Sequence, residues 1–408
     1  MSELSADLSS ASSDTPHRSL SWLVLLALAV GGFGIGTGEF VIMGLMPTMA
    51  ADLGVSEPQV GHVISAYALG VVVGAPILAV LGARLYRRHL LLLLMGFFAL
   101  GNAATALAPG YHSLILARFV TGLPHGAYFG VAALVAASMV PSHKRAAAVS
   151  QVMLGLTIAI LIGNPLATLM GQSIDWRYAF IAVALIALLT MLLVAWVLPL
   201  DRSEHRSNPL TELQAFRRIQ VWYALGIGAI GFAGMFCVFS YLAVTLLEVT
   251  RVSPLVVPVA VATFGAGTLA GNLLGGWLFE RLQFRAVAVV LIWSVLVLLF
   301  FPFAVQTLWS ALLAAFLVGT MVALSPPLQT RLMDVAADAQ TLAAASHHAA
   351  FNVANALGPW LGGVAISAGL GWTVTGYVGA VTAALGMLLF LLAWRHQRQH
   401  PEDMRPGG

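Results

Sequence analysis

Long apolar runs recur from Leu20 to Trp394, separated by short connections. A helix of roughly 20 apolar residues crosses a hydrocarbon core of about 30 Å. Lipid offers no partner to a free backbone N–H or C=O, so each run must satisfy its own hydrogen bonds as a helix. The ~10-residue alternating strands of a membrane barrel are missing. Twelve spans are expected: Leu20 to Met46, Glu57 to Leu81, Leu90 to Pro109, Tyr111 to Val140, Ala147 to Gly171, Arg177 to Leu198, Val221 to Leu247, Pro254 to Phe279, Ala286 to Val305, Leu308 to Leu328, Thr341 to Leu370 and Trp372 to Trp394. Composition excludes a soluble chain, because 60% of the residues are hydrophobic, only 9% are charged, and mean hydropathy is +0.92. The fold class is therefore an all-α polytopic membrane protein.

The spans divide into sixes. Residues 20–199 and 221–394 are expected as two bundles, joined by a hydrophilic connection at 200–220 carrying Arg202, Arg206, Arg217 and Arg218. Residues 1–19, rich in Ser, Asp and Thr, read as a disordered tail, and 395–408 as a second tail. The first apolar run is too long for a cleaved signal peptide and is retained as a span. With both termini cytoplasmic, sixteen of the nineteen Lys and Arg residues fall in cytoplasmic loops and tails, leaving Arg118, Arg177 and Arg251. That bias accounts for the net charge of +3 without a nucleic-acid partner. Gly70, Gly74 and Arg84 recur 197 positions later as Gly267, Gly271 and Arg281. Two parallel six-helix repeats related about the membrane normal, with a cavity between them, follow from that offset.

Charged residues inside spans are costly, about 2.5–3.5 kcal/mol each on insertion scales, and mark function. Glu39 sits in the run GGFGIGTGEF, about seven residues before the expected outer end of span one, and Arg118 about seven residues after the outer end of span four. At ~1.5 Å per residue both lie roughly 10 Å from the outer face, able to pair or to share a wet pocket. Burial favours the protonated form of a carboxylate and a nearby guanidinium the ionised form, so relative movement of the pair would change proton binding. His125 shares a helix face with Arg118 and suits a relay. His348, Asn352 and Asn355 follow helical spacing as a polar cavity wall, and Tyr67, Tyr128 and Phe129 can supply aromatic surface. His347, on another face, reads as structural.

The run GARLYRR after span two, R-x-x-x-G at Arg118 to Gly122, GLTIAILIGNPLATLMG in span five and GIGTGEF in span one together resemble the major facilitator superfamily, and within it the twelve-span drug:proton antiporters that include sugar and chloramphenicol exporters. The run GARLYRR after span two keeps Arg84, Arg87 and Arg88 of the family's cytoplasmic gate motif, but has Ala83 in place of its acid and Tyr86 in place of its glycine. The second copy keeps Glu280 beside Arg281. Span four carries R-x-x-x-G from Arg118 to Gly122. Span five, GLTIAILIGNPLATLMG, is similar to the Gly- and Pro-rich antiporter motif, with Gly155, Gly163 and Pro165 as hinge residues and Asn164 where a small residue is usual. The resemblance implies a monomeric, multi-pass protein of the bacterial inner membrane that exchanges protons for a small, partly apolar solute, a drug or a sugar, by alternating access. A proton-coupled importer has the same architecture.

No cofactor is expected. The single Cys237 rules out an intrachain disulfide and a cysteine-built zinc site, the histidines are not spaced as metal ligands, and no phosphate-binding G-x-x-x-x-G-K-[ST] occurs. An enzyme or sensor is disfavoured, since no catalytic constellation is visible.

Overall fold

A computed structural model of the chain describes residues 15–82, 85–141, 144–199, 217–336 and 340–400. Twelve helical segments within it are long and apolar enough to cross a membrane. The first six spans are α1 (Thr15–Leu53), α2 (Glu57–Gly82), α3 (Arg87–Ala106), α4 (Tyr111–Ser138), α5 (Arg145–Ile158) continuing through a π-turn (Ala159–Gly163) into α6 (Asn164–Ser173), and α7 (Trp176–Val197). The second six are α8 (Ile219–Gly231) with α9 (Ala233–Thr245), α10 (Val256–Leu282), α11 (Arg285–Ala304), α12 (Leu308–Thr320) with α13 (Ser325–Ala336), α14 (Gln340–Ser367), and α15 (Val374–Gln399). An even number of crossings places the start of α1 and the end of α15 on one side, called here the termini end; the opposite side is the far end.

Several boundaries move. Helix α1 starts at Thr15, inside the expected tail, because Pro16 carries the φ that a first helical turn needs and its missing N–H would be unpaired there anyway. It also passes Pro47 and ends at Leu53 rather than Met46, since a break at Pro47 would strand backbone groups within the bundle. Glu39 is therefore about two turns deeper along its helix than the sequence implied. Arg331, expected in a cytoplasmic loop, lies inside α13 and is 5% exposed. Its Nη2 donates to Gln397 Oε1 at 3.0 Å and its guanidinium lies 4.5 Å from the Phe284 ring centre, so an amide and an aromatic face replace water. The calls on residues 1–14, most of the 200–220 connection, Arg84 and residues 401–408 lie outside the described residues.

The 197-residue repeat is present in the packing. A Cβ at Gly70 would stand 2.1 Å from the carbonyl oxygen of Phe119, and one at Gly267 the same distance from that of Phe316. Reciprocally, Gly122 meets the Tyr67 carbonyl and Gly319 the Phe264 carbonyl. Both bundles thus cross their second and fourth spans backbone to backbone, as small residues allow where no hydrophobic driving force separates helix from lipid.

Buried apolar residues divide by level. The termini-end part of the first bundle, including Leu28, Ile35, Leu94, Phe129 and Val152, forms a core of its own. Its far-end part, including Phe40, Met43, Val60 and Phe180, merges with the second bundle in one core. The halves are joined at the far end.

Candidate functional site

Glycines of span five let it pack closely on α1. A Cβ at Gly155 would lie 2.0 Å from the Ala29 carbonyl oxygen, and one at Gly163 would lie 2.4 Å from Thr37 Oγ1. Glu39 follows Thr37 by two residues, so at about 100° per residue it points away from span five, toward α4 and α14. Pro165 sets the local form of span five. Without an N–H it cannot continue the ladder, and the chain widens so that Asn164 N–H bonds to Ala159 O, five residues back.

Glu39 is 2% exposed, and its Oε1 accepts a hydrogen bond from Asn355 Nδ2 at 3.0 Å. Asn355 belongs to the other half. A buried carboxylate requires such partners, because removing the charge from water without them is prohibitive. Arg118, fully buried, supplies the opposite charge without touching the acid: its Nη2 donates to the carbonyl of Gly38 at 2.9 Å, next to Glu39, and the two side chains form no ion pair among the described residues. The guanidinium carbon stands 4.1 Å from the Tyr67 ring centre and 5.4 Å from that of Phe180. Arg118 Nε and Nη1 and Asn355 Oδ1 are buried with no hydrogen-bond partner, so the site keeps both donor and acceptor capacity.

From Arg118 a line of rings runs toward the termini end. Tyr67 Oη and His125 Nδ1 share a hydrogen bond of 3.0 Å, His125 packs on Phe129 with ring centres 5.3 Å apart, and Phe129 stacks on His348 of α14 at 6.0 Å and 10°. The Phe129–His348 stack crosses between the halves, as does Ser65 Oγ donating to Ala356 O at 2.7 Å. Glu39, Arg118, Tyr67 and His125 are thereby enclosed between cross-half contacts.

Seven of the nine residues assigned to coupling and cavity meet here: Glu39, Arg118, His125, Tyr67, Phe129 and Asn355, with His348 closing the line. Tyr128 does not join them, since its hydroxyl donates to Leu28 O at 2.8 Å and fastens α4 to α1. Asn352 turns its amide back on its own helix, to His348 O at 3.0 Å. His347 pairs with Ser325 Oγ at 2.8 Å within the second half. Of the gate residues, Arg88 donates to Ala195 O at the end of α7, inside its own bundle, and Arg281 lies 4.2 Å from the Trp277 ring centre on its own helix. Arg87 opens α3, and Glu280 precedes Arg281 in the last turn of α10. Phe180 and the Gly38 carbonyl were not foreseen; a backbone acceptor leaves no mark in sequence. Asp52 was missed too. At the far end of α1 it accepts from Trp176 Nε1 at 3.0 Å and from Arg177 Nη1 at 2.8 Å, which explains why one cation sits on that side.

The family model described as Major Facilitator Superfamily matches residues 28–249 and again 224–407. The chain is 40% identical over 374 residues to the inner membrane transport protein YdhP of Escherichia coli, covering 91% of this chain and 96% of that one. It is 35% identical over 348 residues to a chloramphenicol resistance protein of Streptomyces lividans, covering 83% and 87%. Among solved structures, a bacterial homologue of the human lysosomal transporter Spinster, captured inward-facing and unoccupied, superposes with a TM-score of 0.75 over 97% of this chain and 100% of its own, at 18% identity. With twelve spans in two repeated bundles and family matches across both, the chain belongs to the major facilitator superfamily of membrane transporters.

Proposed function

We propose that this transporter is a proton-driven exporter of a small, partly apolar solute, seated in the bacterial inner membrane with both termini cytoplasmic, and that Glu39 is its proton-carrying group. The observation that carries the reading is the buried Glu39 carboxylate bonded by Asn355 from the opposite half, with Arg118 held one residue away. In the arrangement joined at the far end, the acid is shielded from that side. When the halves part there, Asn355 withdraws, water reaches the carboxylate, and a proton from the far side can bind. Neutralised Glu39 no longer opposes the charge of Arg118, so the pocket's electrostatics change with each cycle. Tyr67 and His125 offer a hydrogen-bonded route toward the termini end. Proton entry down the membrane potential contributes about 2.3 kcal/mol per charge per 100 mV.

Export, rather than uptake, is supported by the name of the Streptomyces lividans relative, since a transporter confers resistance to chloramphenicol by carrying it out of the cell. The family supports a monomer, and the even number of spans with the Lys and Arg bias of the loops supports cytoplasmic termini. Reconstituted in liposomes, the wild-type protein should move chloramphenicol against its gradient when an inward proton gradient is imposed, and Glu39→Gln should lose that drive while still exchanging chloramphenicol for chloramphenicol. Unchanged pH-driven efflux in Glu39→Gln would contradict the assignment.

A further inference from the structure

Beside the Glu39 site, the joined far end contains a second group of buried polar atoms that the coupling chemistry does not use. Asn164 is completely buried, and neither its Nδ2 nor its Oδ1 has a hydrogen-bond partner; Thr168 Oγ1 and Ser240 Oγ, in equally buried residues, have none either. Asn164 and Thr168 are one turn apart on α6. Ile160, one turn before Asn164, packs against α10, where a Cβ at Gly265 would lie 2.7 Å from its carbonyl oxygen. Thr168 Oγ1 lies against α1, 2.2 Å from where a Cβ at Gly44 would stand. Ser240 follows Phe236 by one turn on α9, and Phe236 stacks on Phe40 of α1 at 6.2 Å, one turn before Gly44. Because α1 and α9 run in the same direction, Ser240 is level with Gly44. Asn164 and Ser240 therefore face the seam between halves from its two sides, and Thr168 continues the line one turn on, where α6 packs against α1 of its own half.

A seam that served only as a seal would be apolar, because an unpaired buried polar group disfavours the closed state. The π-turn before Pro165 places Asn164 at its C-terminal edge, a distortion frequent at functional positions. The orphaned atoms include an amide donor, an amide acceptor and two hydroxyls, whereas residues 40–51, 159–173, 233–245 and 256–279 contain no Asp, Glu, Lys, Arg or His. The charges of Glu39, about one turn before Gly44 on α1, and of Arg118 beside it belong to the coupling site, so the strip itself offers an ionic ligand no countercharge.

We propose that Asn164, Thr168 and Ser240 form a polar contact strip for a neutral solute bearing both hydrogen-bond donors and acceptors, reached when the halves part at the far end. The strip rests on the transport reading and adds the chemical class of the cargo. With Cys237 replaced by Ala, Asn164→Cys and Thr168→Cys should react with a membrane-impermeant maleimide applied from the far side, more slowly than Ser56→Cys in the exposed far-end turn. Saturating chloramphenicol should slow that reaction by roughly fivefold or more, leaving Ser56→Cys unaffected. Asn164→Leu, of similar volume, should raise the chloramphenicol concentration for half-maximal exchange about tenfold, with Asn164→Gln restoring most of it. The strip is overturned if neither cysteine reacts while Ser56→Cys does, if chloramphenicol gives no protection, or if Asn164→Leu exchanges like the parent. If the cysteines react and are protected but Glu39→Gln keeps its pH-driven transport, the coupling reading falls and the strip stands.

Discussion

Gly70 rests on the Phe119 carbonyl in the first bundle, and 197 residues later Gly267 rests on the Phe316 carbonyl in the second. The same offset carries Glu39 to Phe236, Tyr67 to Phe264, Arg118 to Ala315 and His125 to Val322. One bundle keeps an acid, a guanidinium, a phenol and an imidazole around the crossing; the other keeps an aromatic stack, Phe239 on Phe264 at 3.6 Å, and small or aliphatic side chains. The scaffold is shared and the charges are not. Both charges of the site therefore ride on one rigid unit, and parting the halves separates no ion pair. It breaks the Asn355–Glu39 hydrogen bond, the Ser65–Ala356 bond and apolar contacts such as Phe40–Phe236, all compatible with a reversible swing.

The largest expected break in that comparison is Arg118→Ala. Removing one charge of a buried set leaves the other uncompensated, at a cost of about 3–5 kcal/mol, so a lower unfolding temperature and loss of both pH-driven transport and exchange are expected. The position 197 later is already Ala315. Next comes a test of the shared scaffold: Gly70→Ala and Gly267→Ala should each destabilise by about 1–3 kcal/mol through overpacking, with similar shifts in thermal unfolding. A large effect at one site alone would show that the crossings are not equivalent.

A smaller effect falls on the link between halves. Asn355→Ala should lower the pH-driven rate by roughly tenfold, the worth of one hydrogen bond to a charged group, while exchange is spared. The smallest contrast pairs Tyr67→Phe with Phe264→Leu. The first removes the hydroxyl bonded to His125 and should shift the pH dependence of transport with little loss of stability; the second should lower stability by about 1 kcal/mol and leave the pH profile in place. Matching pH profiles for the two variants would erase the asymmetry.

Much of this was legible in the chain. Span count, repeat offset and the isolated charges at Glu39 and Arg118 follow from what lipid forbids, and Asn355 was visible as a polar residue at helical spacing with His348. What was hidden has a common cause. Arg118 binds a backbone carbonyl rather than its opposite charge, Tyr128 turns its hydroxyl to Leu28 O, and Asn352 bonds to its own helix; local backbone acceptors compete for side chains and carry no sequence signature. The end of α1 was misplaced for a related reason, because Pro47 is a breaker in water and is tolerated inside a bundle. The orphaned polarity of Asn164 could be seen only once its surroundings were known.

The measurement that bears most directly on Glu39 is proton release on cargo binding. Purified protein in weakly buffered detergent solution, mixed with saturating chloramphenicol, should release protons into the medium in the wild type and none in Glu39→Gln, with binding itself retained in both. Equal release from the two proteins would place the coupling group elsewhere.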